Sequence, residues 1–271
     1  RFAPSPTGFL TLGNYRTALI NYVFSKQHDG RFILRSEDTD TERSKREYED
    51  DILESFSWLG LTYDAFYRQS DRSEIYKKHL QKLLDNGTAY ISKEAAAKEG
   101  QRGEVIRFKN PNKKITFTDM VRGEVTFDTT ELNDFVIAKS LTEPIFHFAV
   151  VVDDFEMGVT HIIRGEDHIS NTPRQILIQE ALGAPRPIYA HLPLILAPDK
   201  SKLSKRNGAI SIKDVRQEGF LPEAIINFLI LLGWHPTTDQ EILTLEEIIA
   251  QFDLAKVQKG GAGFDKEKLS W

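Results

Sequence analysis

The sequence contains no cysteine. A chain without thiols forms no disulfide, thiolate zinc site or iron–sulfur cluster and has no cysteine nucleophile, so any metal must be bound by oxygen or imidazole ligands. The sequence also lacks an apolar run approaching the roughly 20 residues of a membrane span, and its first residues do not have the pattern of a signal peptide. These absences predict a cytoplasmic protein that does not enter a membrane.

Basic residues are in slight deficit, since 35 Lys and Arg stand against 40 Asp and Glu and the net charge is −5. The average acidity argues against a protein that binds nucleic acid by bulk charge, although it does not exclude a local basic face. The 271 residues, with 40% hydrophobic and 28% charged, are typical of one large folded domain or two ordinary ones. Because the chain begins at Arg1 within a predicted strand and stops at Trp271, we expect it to be part of a longer protein.

Strands and helices alternate over the first 86 residues. Residues 1–8 predict a short extended segment and a turn at two prolines and a glycine, and the apolar spacing from Asn14 to Phe24 predicts a buried helix face. An apolar strand is predicted over 31–35, followed by helices near 41–58 and 72–86. This alternation predicts an α/β fold with a doubly wound parallel sheet.

The pattern changes between residues 90 and 142. The segment KEAAAKEG (93–100) predicts a short helix, and four alternating segments separated by turn residues predict antiparallel strands. We interpret 90–142 as an inserted α+β subdomain. The predicted strands are VIRFK, ITFTD, GEVTF and FVIAK.

Parallel α/β organisation is predicted to resume near Phe146. The run HFAVVVDD (147–154) has the character of a buried strand, and THIIRGED (160–167) and IYAHLPLIL (188–196) predict two more. A helix is predicted from Thr172 to Leu182, opened by Asn-Thr-Pro. Beyond residue 208 the chain is predicted to be mainly helical, with segments near 221–233, 244–252 and 265–271.

One candidate phosphate site is the turn PSPTGFLTLGN (4–14) between the first strand and the first helix. Gly8 and Gly13 let the backbone approach a ligand, and the start of the helix offers unpaired N–H groups to an anion. A glycine-containing turn of this kind is more often only a turn, so this segment by itself is a weak signal.

A second candidate is the loop DKSKLSKRNG (199–208). Lys200, Lys202, Lys205 and Arg206 lie within seven residues and repel one another unless an anion binds among them. A solvated surface loop is one interpretation. The other is a clamp on a polyphosphate, in which Lys202 and Lys205 neutralise charge as pyrophosphate departs.

These two segments, in this order in one predicted sheet, resemble the HIGH and KMSKS regions of the glutamyl-tRNA synthetases, a family of class I aminoacyl-tRNA synthetases. The resemblance covers essentially all 271 residues. It rests on the blocks RFAPSPTG, RFILRSEDTD, WLGL, VRGE, VVDD, MGVTHIIRGEDHISNTPRQ, KLSKR, GFLPEAIINFLILLGW and FDKEKLSW.

The resemblance implies a particular division of the chain. A Rossmann-like catalytic domain comprises 1–89 and 143–208, and the basic loop closes its second half. Residues 90–142 form the inserted acceptor-binding subdomain, and 209–271 form a C-terminal helical stem-contact region. The anticodon-binding domain of the family is absent from the sequence.

The resemblance also implies a glutamate pocket. Arginine forks pair bidentately with carboxylates, which suits a substrate with two of them, and Arg164 favours glutamate over glutamine because an amide leaves the cation unpaired. Glu37 accepts from the substrate ammonium group. The alternatives are an ion pair of Arg164 with Glu166 or Asp167, and an acidic helix N-terminus for Glu37, Asp38 and Asp40. The implied glutamate-binding residues are Arg1, Ala3, Ser5, Glu37, Phe146 and Arg164.

Carried over in the same way, a second set of residues binds ATP and assists its reaction. A surface histidine or one at the start of a helix is the alternative for His168. The implied ATP-binding residues are Gly13, His168, Ile195, Lys202 and Lys205, and the implied catalytic residues are Thr11, Asn14, Lys202 and Lys205.

Residues 92–125 hold eight Lys and Arg against five Asp and Glu, unlike the acidic chain as a whole. This segment lies in the predicted acceptor-binding subdomain, so its cations are candidates for phosphate contacts, although a solvated face is the default for each. The candidates are Arg102, Arg107, Lys109, Lys113, Lys114 and Arg122, and the resemblance adds Arg43.

The sequence departs from the family pattern at three places. Thr11 replaces the first histidine of HIGH, so a neutral hydrogen bond replaces a charge-assisted one of roughly twice the strength, and slower adenylate formation is expected. Phe146 stands where many members have a tyrosine, so the amino-acid pocket lacks one hydroxyl. The cysteines that bind zinc in some members are missing, so no zinc site is expected.

The activity implied by the resemblance is ATP-dependent ligation of L-glutamate to tRNA(Glu) through glutamyl-adenylate, without a side-chain nucleophile. Mg²⁺ is expected to bind mainly through the phosphates, and a cytoplasmic monomer is the default. Three alternatives are a paralogue that glutamylates queuosine in tRNA, a non-catalytic tRNA-binding paralogue, for which Thr11 argues, and a small nucleotidyltransferase.

Overall fold

The computed structural model describes residues 1–94, 103–201, 203, 210–238 and 240–269, in which helices alternate with short strands. The helices are α1 (Leu12–Gln27), α2 (Arg46–Trp58), α3 (Ser73–Asp85), α4 (Phe146–Glu156), α5 (Thr172–Leu182), α6 (Ile212–Gln217), α7 (Pro222–Leu231), α8 (Leu245–Gln251) and α9 (Lys266–Leu269). The strands are β1 (Ile33–Ser36), β2 (Ala65–Arg68), β3 (Ala89–Lys93), β4 (Glu104–Phe108), β5 (Lys114–Asp119), β6 (Gly123–Asp128), β7 (Phe135–Ser140), β8 (Glu143–Pro144), β9 (His161–Gly165), β10 (Ile188–Leu192), β11 (Ile195–Leu196) and β12 (Ala262–Gly263).

Helix α5 shows how local sequence sets an element. Proline lies in its first turn, where no N–H partner is needed, and Gly183 ends it in the left-handed conformation at φ 70°. The predicted bounds Thr172–Leu182 are confirmed.

Two pairs of strands in the predicted α/β part of the chain are parallel. Strands β1 and β2 run parallel, and Phe2 in the opening segment forms a parallel bridge to Leu34 of β1. Strands β9 and β10 also run parallel, with Arg164 directly opposite His191. The α/β fold predicted from the sequence is confirmed, and β9 and β10 continue into a mixed four-stranded sheet of order β6-β5-β10-β9.

The strand predicted over 147–154 is wrong, because these residues belong to helix α4. The helix packs against α3, α5 and β7, and its residues from Phe148 to Asp154 are all buried. A helix that is buried on all sides has the same continuous apolar run as a buried strand, and the three consecutive valines add a preference for β structure. Tertiary packing decides in favour of the helix.

The four strands predicted over 105–139 are present and pair antiparallel, but they belong to two sheets. Strands β4 and β7 pair in the sheet β3-β4-β7-β8, whereas the β5–β6 hairpin joins β10 through a parallel contact of Asp119 with Tyr189. The turn of this hairpin is thereby placed beside the strands that follow the predicted subdomain. Most of the short helix predicted over 93–100 lies outside the described residues.

Several predicted elements differ from the structure in extent, one strand and one helix most clearly. The strand predicted over 188–196 is divided into β10 and β11, because Pro193 has no N–H and the N–H of Leu194 donates to Glu166 Oε1 at 2.8 Å instead of to a ladder. The helix predicted from 41 begins only at Arg46.

Two hydrophobic clusters form the interior. One surrounds α1 and includes Leu12, Phe56 and Trp234, and the other lies around α4 and α5 and includes Phe148 and Ile176. Residues of both clusters border the cavity described below. Within the described part of the chain, no helix has both the length and the apolar character needed to cross a membrane.

Candidate active site

A cavity of about 540 Å³ opens between the first loop, the start of α1, the start of α4 and the ends of β9 and β10. A larger groove of about 1820 Å³ runs along α7–α9, but none of the predicted binding residues borders it. Lys202 and Lys205 lie outside the described residues. Every other residue predicted for catalysis, glutamate binding or ATP binding borders the smaller cavity: Arg1, Ala3, Ser5, Thr11, Gly13, Asn14, Glu37, Phe146, Arg164, His168 and Ile195.

Arg1 borders the cavity with its guanidinium fork already occupied. Its Nε and Nη2 each donate to Asp154 at 2.9 Å, one to each carboxylate oxygen. Burial by itself raises the pKa of Asp154, but the positive charges of Arg1 and Arg35 hold this pKa well below its usual value. The bidentate partner of Arg1 in this structure is therefore an internal carboxylate.

Arg35 was not among the predicted residues, yet it connects this side of the site. It is fully buried in β1, where its Nη1 donates to Asp154 Oδ1 at 2.8 Å and its Nη2 donates to Glu37 Oε1 at 3.0 Å. Asp153 lies 3.6 Å from its Nε. A charged residue in an otherwise apolar strand requires buried partners, and the pair Asp153-Asp154 at the end of an apolar run is the matching signal.

Glu37 follows β1 and is almost completely buried at the cavity wall. Burial raises the pKa of Glu37, and this effect outweighs the attraction of Arg35 and Arg1. The alternative of an acidic N-terminus for the helix near 41–58 is wrong for Asp38, which instead accepts from the N–H of Ser70 in the 3₁₀ helix Gln69–Arg72 at 2.8 Å. Asp40 forms an ion pair with Arg43.

Arg164 is oriented by a different set of groups. Its Nε donates to His191 Nε2 at 3.1 Å, and its Nη2 donates to Thr172 Oγ1 at 2.8 Å. The alternative of an ion pair with Glu166 is wrong, because Glu166 pairs with Arg122 and accepts from the N–H of Leu194. Burial lowers the pKa of Arg164 to about 10, so the guanidinium is protonated at neutral pH.

The start of α1 forms another wall. Thr11 is the N-cap, and its N–H and hydroxyl both donate to Asn14 Oδ1 at 3.0 Å. A Cβ placed on Gly13 would lie 3.5 Å from Ile195 Cδ1, so β11 packs closely against this turn. The N–H groups of Leu12 and Asn14 donate to the carbonyls of Ile210 and Thr11, so this turn offers a phosphate mainly the positive end of the helix dipole, next to an apolar strand that suits a flat ring.

Phe146 and His168 approach each other across the cavity, with ring centroids 5.8 Å apart. His168 lies in the 3₁₀ helix Glu166–Asn171 that precedes α5, so it is both near a helix start and at the cavity wall. Burial lowers the pKa of His168 to about 4, which keeps the imidazole neutral at neutral pH.

The predicted tRNA-contacting cations differ in their surroundings. Arg107 donates to Glu94 and to the carbonyl of Asp134, both at 2.8 Å, and Lys109 lies 5.9 Å from the ring centre of Tyr90. Arg122 is an internal bridge that donates to Glu166 and to the carbonyls of His191 and Lys259. Arg43 is exposed beside Asp40, and Arg102 lies outside the described residues. Binding of tRNA by these cations stays a prediction.

A model of the family "tRNA synthetases class I (E and Q), catalytic domain" matches residues 1–104 and 91–271. The chain belongs to this family. It is 48% identical to the glutamate--tRNA ligases of Sulfurihydrogenibium sp. strain YO3AOP1 and Aquifex aeolicus strain VF5, which match 100% of the chain. The chain spans 66% and 65% of the length of these two relatives.

Solved structures of the synthetase family share the fold. The glutamate tRNA ligase of Elizabethkingia meningosepticum in complex with its amino acid has a TM-score of 0.92 at 36% identity. The match covers 100% of the present chain and 68% of the ligase chain. The glutamate-tRNA synthetase of Elizabethkingia anophelis has the same TM-score, identity and coverage. In this α/β fold, the described residues that were predicted for binding in separate segments border one cavity.

Proposed function

We propose that this chain is the catalytic part of an enzyme that ligates L-glutamate to tRNA(Glu) at the expense of ATP. The observation that carries the proposal is the convergence, on one cavity, of the start of α1 and the Arg164 guanidinium. A helix start suits phosphate, and a guanidinium without a carboxylate partner among its described contacts suits an anionic side chain. The names of the relatives agree with this activity and favour none of the alternatives.

In the first reaction, an oxygen of the glutamate α-carboxylate attacks the α-phosphorus of ATP, and the bond to pyrophosphate breaks to give glutamyl-adenylate. A ribose hydroxyl of tRNA then attacks the activated carbonyl and releases AMP. Neither step needs a side-chain nucleophile, so catalysis rests on positioning and on stabilisation of charge.

Each end of the cavity has a proposed role in that chemistry. Arg164 binds the side-chain carboxylate of glutamate, and Glu37 accepts from its ammonium group. The positive end of the α1 dipole attracts phosphate, with Thr11 and Asn14 at that turn, while Ile195 and His168 border the nucleotide. Lys202 and Lys205 are proposed to neutralise the departing pyrophosphate.

Mg²⁺ fits this site as an ion carried by the nucleotide. Among the described residues no group of three or more His, Asp or Glu side chains has the spacing to hold a metal ion. Mg²⁺ keeps several waters and needs few protein ligands when it binds phosphates. It would supply neutralisation of the triphosphate charge.

The proposed organisation follows the family. Residues 1–89 and 143–208 form the doubly wound catalytic domain, 90–142 bind the acceptor end of tRNA, and 209–271 contact its stem. The protein acts as a monomer on tRNA(Glu). The β5–β6 hairpin supports a close connection between the acceptor-binding and catalytic parts, since it pairs with β10.

The test is glutamate-dependent exchange of pyrophosphate into ATP, measured with and without tRNA(Glu), with glutamine as the control amino acid. Exchange that requires glutamate is the expected result. Binding of ATP with no exchange under either condition would overturn the proposal in favour of a non-catalytic tRNA-binding protein, the candidate for which Thr11 argues.

A further inference from the structure

His191 is a fully buried residue of β10 that lies next to Arg164 of β9. The two residues are partners in the parallel register of β9 and β10. Nε2 of His191 is 3.1 Å from Nε of Arg164 and 3.2 Å from Oγ1 of Thr172, and its Nδ1 is 2.6 Å from Oδ2 of Asp119. The imidazole therefore connects the guanidinium to a buried carboxylate on the β5–β6 hairpin.

The partners of His191 determine where its proton lies. A guanidinium only donates hydrogen bonds, so Nε2 must present a lone pair to Arg164, and Nδ1 must carry the hydrogen that is donated to Asp119. Asp119 also accepts from the backbone N–H groups of Val121 at 2.9 Å and Arg122 at 2.8 Å. Although burial raises it, hydrogen bonds from His191 and Arg122 hold the pKa of Asp119 below its usual value.

This arrangement leaves one part of the guanidinium for a ligand. Nε is bound by His191, and Nη2 is bound by Thr172 and lies 3.4 Å from the carbonyl oxygen of His168. Within the described part of the chain, Nη1 has no hydrogen-bond partner, and Arg164 borders the cavity. Nη1 is therefore the nitrogen of the fork that remains for an anionic ligand.

We propose that His191 and Asp119 are positioning residues that hold Arg164 in the orientation required to bind the side-chain carboxylate of glutamate. The inference rests on the proposed function. Asp119 fixes the tautomer of His191, and the neutral imidazole then restrains Nε of Arg164 through its lone pair. Protonation of His191 places two donors opposite each other at 3.1 Å and releases the guanidinium.

The pH dependence of this restraint is set by the groups around the imidazole. Asp119 and Arg122 face His191 from the β5–β6 turn, Arg164 from β9, His168 from the 3₁₀ helix and Tyr189 from β10 itself. Burial and the charge of Arg164 lower the pKa of His191, so the restraint holds at neutral pH and weakens on the acidic side.

Two substitutions separate the two nitrogens of His191. In His191→Gln the amide oxygen lies near the position of Nε2 and still accepts from Arg164, whereas in His191→Asn the amide lies near Nδ1 and only the bond to Asp119 is retained. Steady-state pyrophosphate exchange with tRNA(Glu) on the full chain gives KM for glutamate and for ATP, from pH 5.5 to 8.5. His161→Gln on β9 is the matched control.

We expect His191→Asn to raise KM for glutamate by about 10- to 100-fold and to leave KM for ATP unchanged, because a hydrogen bond to a charged group is lost. His191→Gln should keep KM for glutamate within about threefold of the unaltered protein. It should also abolish the rise of this KM at acidic pH that protonation of His191 is expected to cause in the unaltered protein. A role limited to packing predicts equal effects of the two variants on both KM values, and that result would overturn the proposal.

Asp119→Asn provides an independent test if the His191 variants do not fold. The amide can donate to Nδ1, which permits the tautomer with hydrogen on Nε2, opposite Arg164. A higher KM for glutamate at unchanged melting temperature is expected, and an unchanged KM in the folded variant would overturn the proposal. Absence of exchange in the unaltered protein would instead refute the proposed function itself.

Discussion

The segments RSED at 35–38 and RGED at 164–167 have nearly the same sequence, and each lies at the end of a buried strand beside one cavity. The side chains that bind the two arginines nevertheless differ in charge. Arg35 pairs with its own Glu37 and with Asp154, whereas Arg164 binds the neutral side chains of His191 and Thr172.

The difference arises from the direction in which the glutamate of each segment turns. Glu37 folds back onto Arg35, while Glu166 turns away to Arg122 and the N–H of Leu194. The first segment is therefore an internally balanced network that holds the wall of the cavity. The second leaves a buried cation without a carboxylate among its described contacts, and such a cation favours a ligand that supplies the counterion.

The largest effect expected from this contrast is on stability. Arg35→Met leaves Asp153, Asp154 and Glu37 without their shared cation, so the free energy of unfolding should fall by about 3–5 kcal/mol. Urea unfolding at pH 7 measures this change. Arg31→Met, which removes an exposed arginine just before the same strand, is the control and should change stability by less than about 0.5 kcal/mol. A loss of similar size in both variants would refute the balanced network.

Arg164→Met should have the opposite profile. No carboxylate is left unpaired among its described contacts, so the free energy of unfolding should fall by less than about 2 kcal/mol, the cost of the unsatisfied acceptor on His191. The kcat/KM for glutamate should fall about 100-fold or more, because a charged substrate group loses its partner. Pyrophosphate exchange at varied glutamate measures the second effect, and an unchanged kcat/KM would remove Arg164 from the site.

The groups around the two segments should lose their contributions to the free energy of unfolding in different pH ranges. Burial lowers the pKa values of His168 and His147 to about 4, below the ordinary value of 6.5, so the unfolded chain binds more protons between these values. The free energy of unfolding should therefore fall as pH decreases from about 6.5 to 4, by at most about 3 kcal/mol for each histidine. The contribution of Asp154 is present above its ordinary pKa of 3.8 and is lost only in stronger acid.

Urea unfolding at pH 7, 5.5 and 4.5 measures this dependence. His168→Asn should flatten the decline between pH 6.5 and 4, whereas His28→Asn, which removes an exposed histidine at the end of α1, should not. An unaltered slope in His168→Asn would mean that the imidazole is not held neutral by its surroundings.

The alternation of predicted elements was sufficient to predict an α/β fold, and the family resemblance was sufficient to name 11 described residues that border the cavity. The sequence was not sufficient to distinguish Arg35 from Arg164, because their partners Asp154 and His191 come from distant segments and only tertiary packing selects them. The same limit explains α4, where the continuous buried run from Phe148 to Asp154 shows no helical periodicity. Arg122 was predicted as a phosphate contact, yet its bridge to Glu166 depends on a hairpin joining β10.

The smallest expected effect concerns the start of α1. The side chains of Thr11 and Asn14 are neutral there, whereas Arg164 carries a positive charge. Thr11→His replaces a neutral donor with a charged one below pH 6.5, and a charge-assisted bond is roughly twice as strong. The rate of pyrophosphate exchange should rise about fivefold at pH 6 and little at pH 8, which corresponds to about 1 kcal/mol. Thr11→Gln, a neutral donor of similar reach, controls for the lost contact with Asn14. Equal rates at both pH values would mean that the side chain at position 11 does not reach the phosphates.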